Sequence, residues 1–92
     1  MAISLHDAFT AASDVVFREL DGESVLLNLA TGTYFGLNAS GTRMWQLIEM
    51  HRVLEQVAAA LADEFDAPAS RIEGDLVALV SELEKKGLLQ RA

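Results

Sequence analysis

The side chains able to do acid–base, metal or nucleophilic chemistry are few, and their spacing assembles none of it. The two histidines, His6 and His51, stand far apart in unlike contexts, and neither belongs to a metal-ligand spacing such as H-E-x-x-H. Both read as solvated residues. Asp63, Glu64 and Asp66 crowd three carboxylates together, but without the loop pattern of a calcium site they read as the solvated end of a helix. Ser40 offers a hydroxyl with no base in view, and at a helix start its ordinary role is capping. Gly32 and Gly36 are followed by no Lys-Ser/Thr pair, so they form no phosphate loop and fit a turn and a sheet position instead. The absence of cysteine removes disulfides, thiolate zinc sites and a thiol nucleophile together. The chain reads as a non-enzyme that needs no cofactor and no metal.

Charge narrows the partners. Fourteen acidic residues stand against seven basic ones, a net charge of -7. Such a surface repels phosphate backbones and anionic lipid, so neither nucleic acid nor membrane is expected as a partner. A basic peptide would instead be steered inward. The start of the chain has no basic region followed by an apolar run, and no segment is long and apolar enough to span a bilayer. With no cysteine, this fits a cytoplasmic protein. At 92 residues, 51% of them apolar, the chain holds one domain with one modest core.

The elements that must position any site follow from periodicity. Residues 1–14 read as an N-terminal arm, partly flexible, with Leu5 and Phe9 available to pack on the body. The domain proper is residues 15–92. Residues 15–20 are rich in β-formers, and Asp21-Gly22 is a strong hairpin signal leading into a second strand over residues 24–29. Phe17 and Arg18 compete for the inner face of the first strand, so the register of this hairpin stays open. Ala30-Thr31-Gly32 reads as a three-residue turn with Gly32 left-handed. That turn would place Phe35 opposite Leu27 and Leu37 opposite Val25, with these four on the core side.

A third strand over residues 33–37 runs straight into a helix capped by Asn38, with Ser40 the alternative cap. This first helix covers about residues 39–49, and Gly41 lets it approach the sheet. A second helix covers about residues 54–65, and Pro68 suits the first turn of a third, over about 69–86. Ile72, Leu76, Leu79 and Leu83 form the buried stripe of that third helix, and Leu88-Leu89 close the core as a short tail. The expected fold is α+β: a three-stranded antiparallel sheet followed by three helices, of winged helix-turn-helix shape.

That shape invites a DNA-binding reading, which the charge opposes. A recognition helix needs Arg, Lys, Asn or Gln on its exposed side. The third helix offers Glu73, Asp75, Glu82 and Glu84, with Arg71 at one end and Lys85 and Lys86 at the other.

The third strand is the better candidate. Thr33, Tyr34, Phe35, Gly36 and Leu37 form an edge without the Lys, Pro or bulge that blunts most edges. Gly36 leaves its surface bare, and Tyr34 adds an aromatic ledge. Such an edge beside a helix can receive an extended peptide as an added strand. A covering by the first helix or the N-terminal arm would remove the site.

The run Gly22-Glu23-Ser24-Val25-Leu26-Leu27-Asn28-Leu29-Ala30-Thr31-Gly32-Thr33-Tyr34-Phe35-Gly36-Leu37-Asn38, followed by Gly41-x-x-Met44-Trp45-x-Leu47-Ile48, resembles the PqqD family. So do residues 54–89, and the similarity extends over about residues 15–89. The resemblance implies a non-catalytic domain that binds the leader segment of a ribosomally synthesised precursor peptide. The leader adds beside the third strand and lies against the third helix. The domain then presents the precursor to a modifying enzyme, such as a radical SAM protein, or to a leader protease. Carried onto this chain, the ladder falls on residues 33–37. The opposing wall is assigned to Val77 and Val80, with Glu73 and Glu84 to pair a basic leader residue. Helical phase places Asp75, Glu82 and Lys86 on the other flank, and which flank faces the groove stays open. The "TGTYFGLN" hairpin departs from members of the quinone-cofactor pathway. It is closer to the broad family, including stand-alone recognition proteins of lasso-peptide pathways. A winged-helix transcription regulator and a structural or dimerising module are the alternatives, and the chain is expected as a monomer or homodimer.

Overall fold

The structure, a computed structural model, describes residues 2–92. In chain order its elements are β1 (Phe9–Ala11), β2 (Val15–Leu20), β3 (Glu23–Asn28), β4 (Tyr34–Leu37), α1 (Ala39–His51), α2 (Leu54–Glu64), α3 (Ala69–Lys85) and β5 (Leu89–Arg91). Strands β2, β3 and β4 form an antiparallel sheet in that order, with one face on α1 and its loop side tied to the end of α3. The expected α+β architecture holds, with an added two-stranded ribbon of β1 and β5.

The first hairpin turns on Asp21 and Gly22, whose φ values of 55° and 83° are both left-handed. Two such residues make the tight loop whose twist matches the flanking strands. This sets Phe17 opposite Leu26 and Arg18 opposite Val25. Phe17 therefore takes the inner face, where its ring stacks on Trp45 with centroids 6.2 Å apart.

The second hairpin corrects the expected register by one residue. Leu26 pairs with Phe35, Val25 with Gly36 and Ser24 with Leu37. The loop is residues 29–32, closed by Asn28 N–H to the Thr33 carbonyl and Gly32 N–H to the Asn28 carbonyl, both 2.8 Å. The slip exchanges the two faces of β3: Leu26 is fully buried and Val25 is 47% exposed. The cause is Asn28. Its Oδ1 accepts from Ala30 N–H at 2.9 Å and Thr31 N–H at 3.2 Å, and its Nδ2 donates to the Gly87 carbonyl at 2.9 Å. A side chain that closes its own loop and ties α3's end to the sheet belongs inside. Ser24 then also points inward, where its hydroxyl meets that of Thr42 at 2.7 Å.

Asn38 caps α1 by accepting from Gly41 N–H at 2.9 Å. A Cβ on Gly41 would lie 3.2 Å from the Leu37 side chain, so this glycine permits the close departure of α1 from β4. Arg43 grips Glu64 with two 2.7 Å bonds and joins α1 to α2. In α3 the buried stripe is Ile72, Leu76, Val80 and Leu83. Val80 takes the place expected for Leu79, because both choices keep helical spacing.

The N-terminal arm packs on the helical side. Phe9 is fully buried and Leu5 partly so. Phe9 N–H reaches the Arg52 carbonyl and Leu54 N–H the Asp7 carbonyl, each at 3.0 Å. Arg91 closes the ribbon by meeting Asp7 at 2.8 Å and Glu84 at 3.3 Å. The arm thus pairs with the C-terminal strand and not with β4.

Candidate functional site: the open edge of β4 beside α3

Strand β4 ends the sheet, so one of its sides has no strand partner. Which backbone groups face that side follows from the ladder. Antiparallel pairs alternate between those that exchange hydrogen bonds and those that do not. Asn28 and Thr33 are a bonded pair, so Leu26 with Phe35 and Ser24 with Leu37 are bonded too. Phe35 and Leu37 spend their backbone groups on β3. Tyr34 and Gly36 turn N–H and C=O outward, where an added strand would find two donors and two acceptors in ladder spacing.

The end of α3 lies across from this side, and the gap between them forms a cleft. Lys86, just past the end of α3, holds its Nζ 5.8 Å from the centre of the half-buried Phe35 ring. A separate hollow of about 320 Å³ among α1, α2 and the start of α3 is lined by Ser40, Met44, Phe65, Arg71, Ile72 and Asp75, among others. The position of Lys86 over Phe35 turns toward β4 the flank of α3 that Asp75, Leu79 and Lys86 share by helical phase. Leu79, half-buried against the core, is its apolar member. Charges of both signs border the cleft, with Arg71 3.9 Å from Asp75 and Lys86 3.9 Å from Glu82.

The edge residues assigned from sequence are together on one strand or adjoining it: Tyr34, Phe35, Gly36 and Leu37 in β4, with Thr33 just before it. The four assigned on α3 are not beside them. Val80 has no exposed surface. Glu73 faces Leu5, Glu55 and Ala59 on the side of α2 and the arm. Glu84 is paired with Arg91 of β5, and Val77 shares their flank. The physical reason is the stripe itself. Burying Val80 in place of Leu79 rotates α3 about its axis, which brings Leu79 and Lys86 to the cleft. No local signal separates the two stripes, so Leu79 was read as core from sequence, and Lys86 stood on the flank left open as the alternative.

The displaced pKa values belong to ties that hold the fold. Asp7 is lowered by the Ser4 N–H it accepts and by Arg91, and Glu64 is lowered by its bonds from Arg43. Among the described residues, no cluster of His, Asp or Glu is placed to hold a metal ion, and no helix is long and apolar enough to cross a membrane. What the arrangement can do is bind an extended chain by its backbone and sample its side chains on two faces.

The fold and the open edge define a class of small α+β domains whose sheet leaves one side of its last strand unpaired. The family model for coenzyme PQQ synthesis protein D (PqqD) matches residues 23–89, and the chain belongs to the PqqD family. Two solved structures share the fold throughout. One is described as TbiB1 in complex with the TbiA(β) leader peptide: 38% identical, TM-score 0.82, covering 88% of this chain and 94% of that one. The other is lasso peptide synthetase B1 complexed with the leader peptide: 25% identical, TM-score 0.80, covering 90% and 98%. A search of curated protein sequences gives no match.

Proposed function

We propose that this chain is a non-catalytic recognition protein for the leader segment of a ribosomally synthesised precursor peptide. The leader adds as a strand to β4 and lies in the cleft against α3, and the domain presents the precursor to a modifying enzyme or leader protease. The observation that carries this reading is the pair of outward backbone units at Tyr34 and Gly36 beside the end of α3. The leader complexes of the two similar structures support it. Contacts are assigned to Thr33, Tyr34, Phe35, Gly36 and Leu37 on one side and to Asp75, Leu79 and Lys86 on the other. Leader binding orders a flexible segment, which offsets part of the contact energy.

The test is a titration of the isolated domain with the TbiA(β) leader peptide and with precursor peptides encoded beside its gene, followed by amide NMR. Expected shifts cluster in residues 33–37 and on the Asp75–Leu79–Lys86 flank. Absence of binding to every such peptide overturns the proposal. So does a stable peptide-free dimer that seals β4, seen by sedimentation.

A further inference from the structure

The backbone of the N-terminal arm reaches both sides of the cleft at one end. On the helical side Leu88 joins the two. Its N–H donates to the Leu83 carbonyl of α3 at 2.9 Å, and its carbonyl accepts from Ala12 N–H of the arm at 3.2 Å. Arg91 adds a second link, meeting Glu84 in the last turn of α3 and Asp7 in the arm. On the sheet side the Asp14 carbonyl accepts from Leu29 N–H at 2.9 Å, at the start of the loop that leads into β4. Between these points the arm is pinned to the corner of α1 and α2. There Arg52 turns with a left-handed φ of 66°, and its carbonyl takes Phe9 N–H.

The backbone of α3 packs against α2 and β5. Its end reaches the sheet through side chains, the Asn28 amide on the Gly87 carbonyl and Lys86 over the Phe35 ring. A side chain can change rotamer and release such a contact within nanoseconds, whereas the arm spans the same gap with backbone. We propose that the arm is a brace that sets the width of the leader cleft, with Arg91 as its positioning residue, and that arm docking and leader binding stabilise each other. The two do not touch. The arm meets the end of α3 on the flank of Glu84, which helical phase sets opposite that of Lys86. A short ribbon at the chain ends is the kind of element that opens locally, and opening it frees the end of α3. Coupling through a shared element is reciprocal: the factor by which an open arm weakens the leader is the factor by which a bound leader protects the arm.

The proposal rests on the leader-binding reading, and its test separates the two. Amide hydrogen exchange is followed by NMR on the full chain, free and saturated with the TbiA(β) leader peptide or with a precursor peptide encoded beside the gene. The probes are the Ala12 and Ala92 amides, which close the ribbon on the carbonyls of Leu88 and Ala8. The control is the Glu23 amide at the tip of the first hairpin, at the other end of β3 from Asn28. The peptide is expected to slow the ribbon amides roughly fivefold or more and to leave Glu23 unchanged. Equal slowing at Glu23, or none at the ribbon, overturns the brace and leaves the leader reading standing. A second measurement uses Gln90→Pro with Arg91→Ala. Gln90 is exposed, and its pair with Thr10 lies between the bonded pairs of Ala12 with Leu88 and Ala8 with Ala92, so proline removes a ladder bond without cutting into the core. This variant is expected to bind the peptide roughly fivefold or more weakly; Arg91→Ala alone weakens it less, and Arg91→Lys restores it. Wild-type affinity in a variant whose ribbon amides exchange freely overturns the brace. The exchange comparison on the wild-type chain decides independently of whether the variant folds. Absence of binding by wild type to every such peptide overturns the leader reading and the brace with it.

Discussion

Placing proline at successive positions of β4 tests the alternation of its backbone. Gly36 and Tyr34 turn their N–H groups to the open side, and Phe35 turns its N–H to β3. In the free domain, Gly36→Pro therefore removes a donor that has no protein partner, whereas Phe35→Pro breaks the ladder and removes a half-buried ring. The stability costs separate accordingly. Phe35→Pro loses a ladder bond and core contacts, about 3–5 kcal/mol, a large share of the total for a small domain. Gly36→Pro and Tyr34→Pro cost about 1 kcal/mol or less, as proline on an edge does when its N–H side faces water. Binding reverses the order. Each outward proline leaves a leader carbonyl without its donor, worth about 1–3 kcal/mol, or roughly a fivefold to 150-fold rise in Kd. Urea unfolding measures the first quantity, and fluorescence anisotropy with a labelled leader peptide the second. Two results refute the reasoning: wild-type affinity in a folded Gly36→Pro protein, or a stability loss in Gly36→Pro equal to that in Phe35→Pro.

Three further outcomes follow from the same geometry. Leu79→Ala is expected to weaken leader binding roughly threefold to tenfold by removing apolar wall from the cleft, whereas Val77→Ala leaves it unchanged; equal effects in a titration would mean α3 is rotated. Asn28→Ala is expected to lower unfolding stability by about 1–3 kcal/mol, because two loop N–H groups and the Gly87 carbonyl lose their partner. Asn28→Asp should also be destabilised, since a carboxylate has no donor for that carbonyl, and urea unfolding of both checks this. The Asp7 carboxyl is held below its ordinary value of 3.8 by the Ser4 N–H and by Arg91. Its contribution is thus full above that value and is lost as the pH falls through the lowered one. An NMR titration is expected to show the Asp7 pKa moving back up in Arg91→Ala, with amide protection of the β1–β5 ribbon falling as Asp7 protonates.

Local chemistry alone determined much of this molecule. Asp21-Gly22 specifies a tight hairpin, Asn38 caps a helix, and the apolar spacing of residues 54–65 and 69–86 makes helices wherever they pack, because each signal acts within a few residues. The unguarded edge was legible for the same reason: it lacks Lys, Pro and bulge signals along a single strand. Tertiary structure decided the rest. The β3–β4 register turned on Asn28, whose inward orientation is secured by the carbonyl of Gly87, far along the chain. The β1–β5 ribbon joins the two ends of the sequence, and no short window contains both. The wall of the cleft depended on whether Leu79 or Val80 entered the core, a choice between equal helical stripes. Sequence spacing sets which residues share a face; only the packing of distant segments sets which face turns inward.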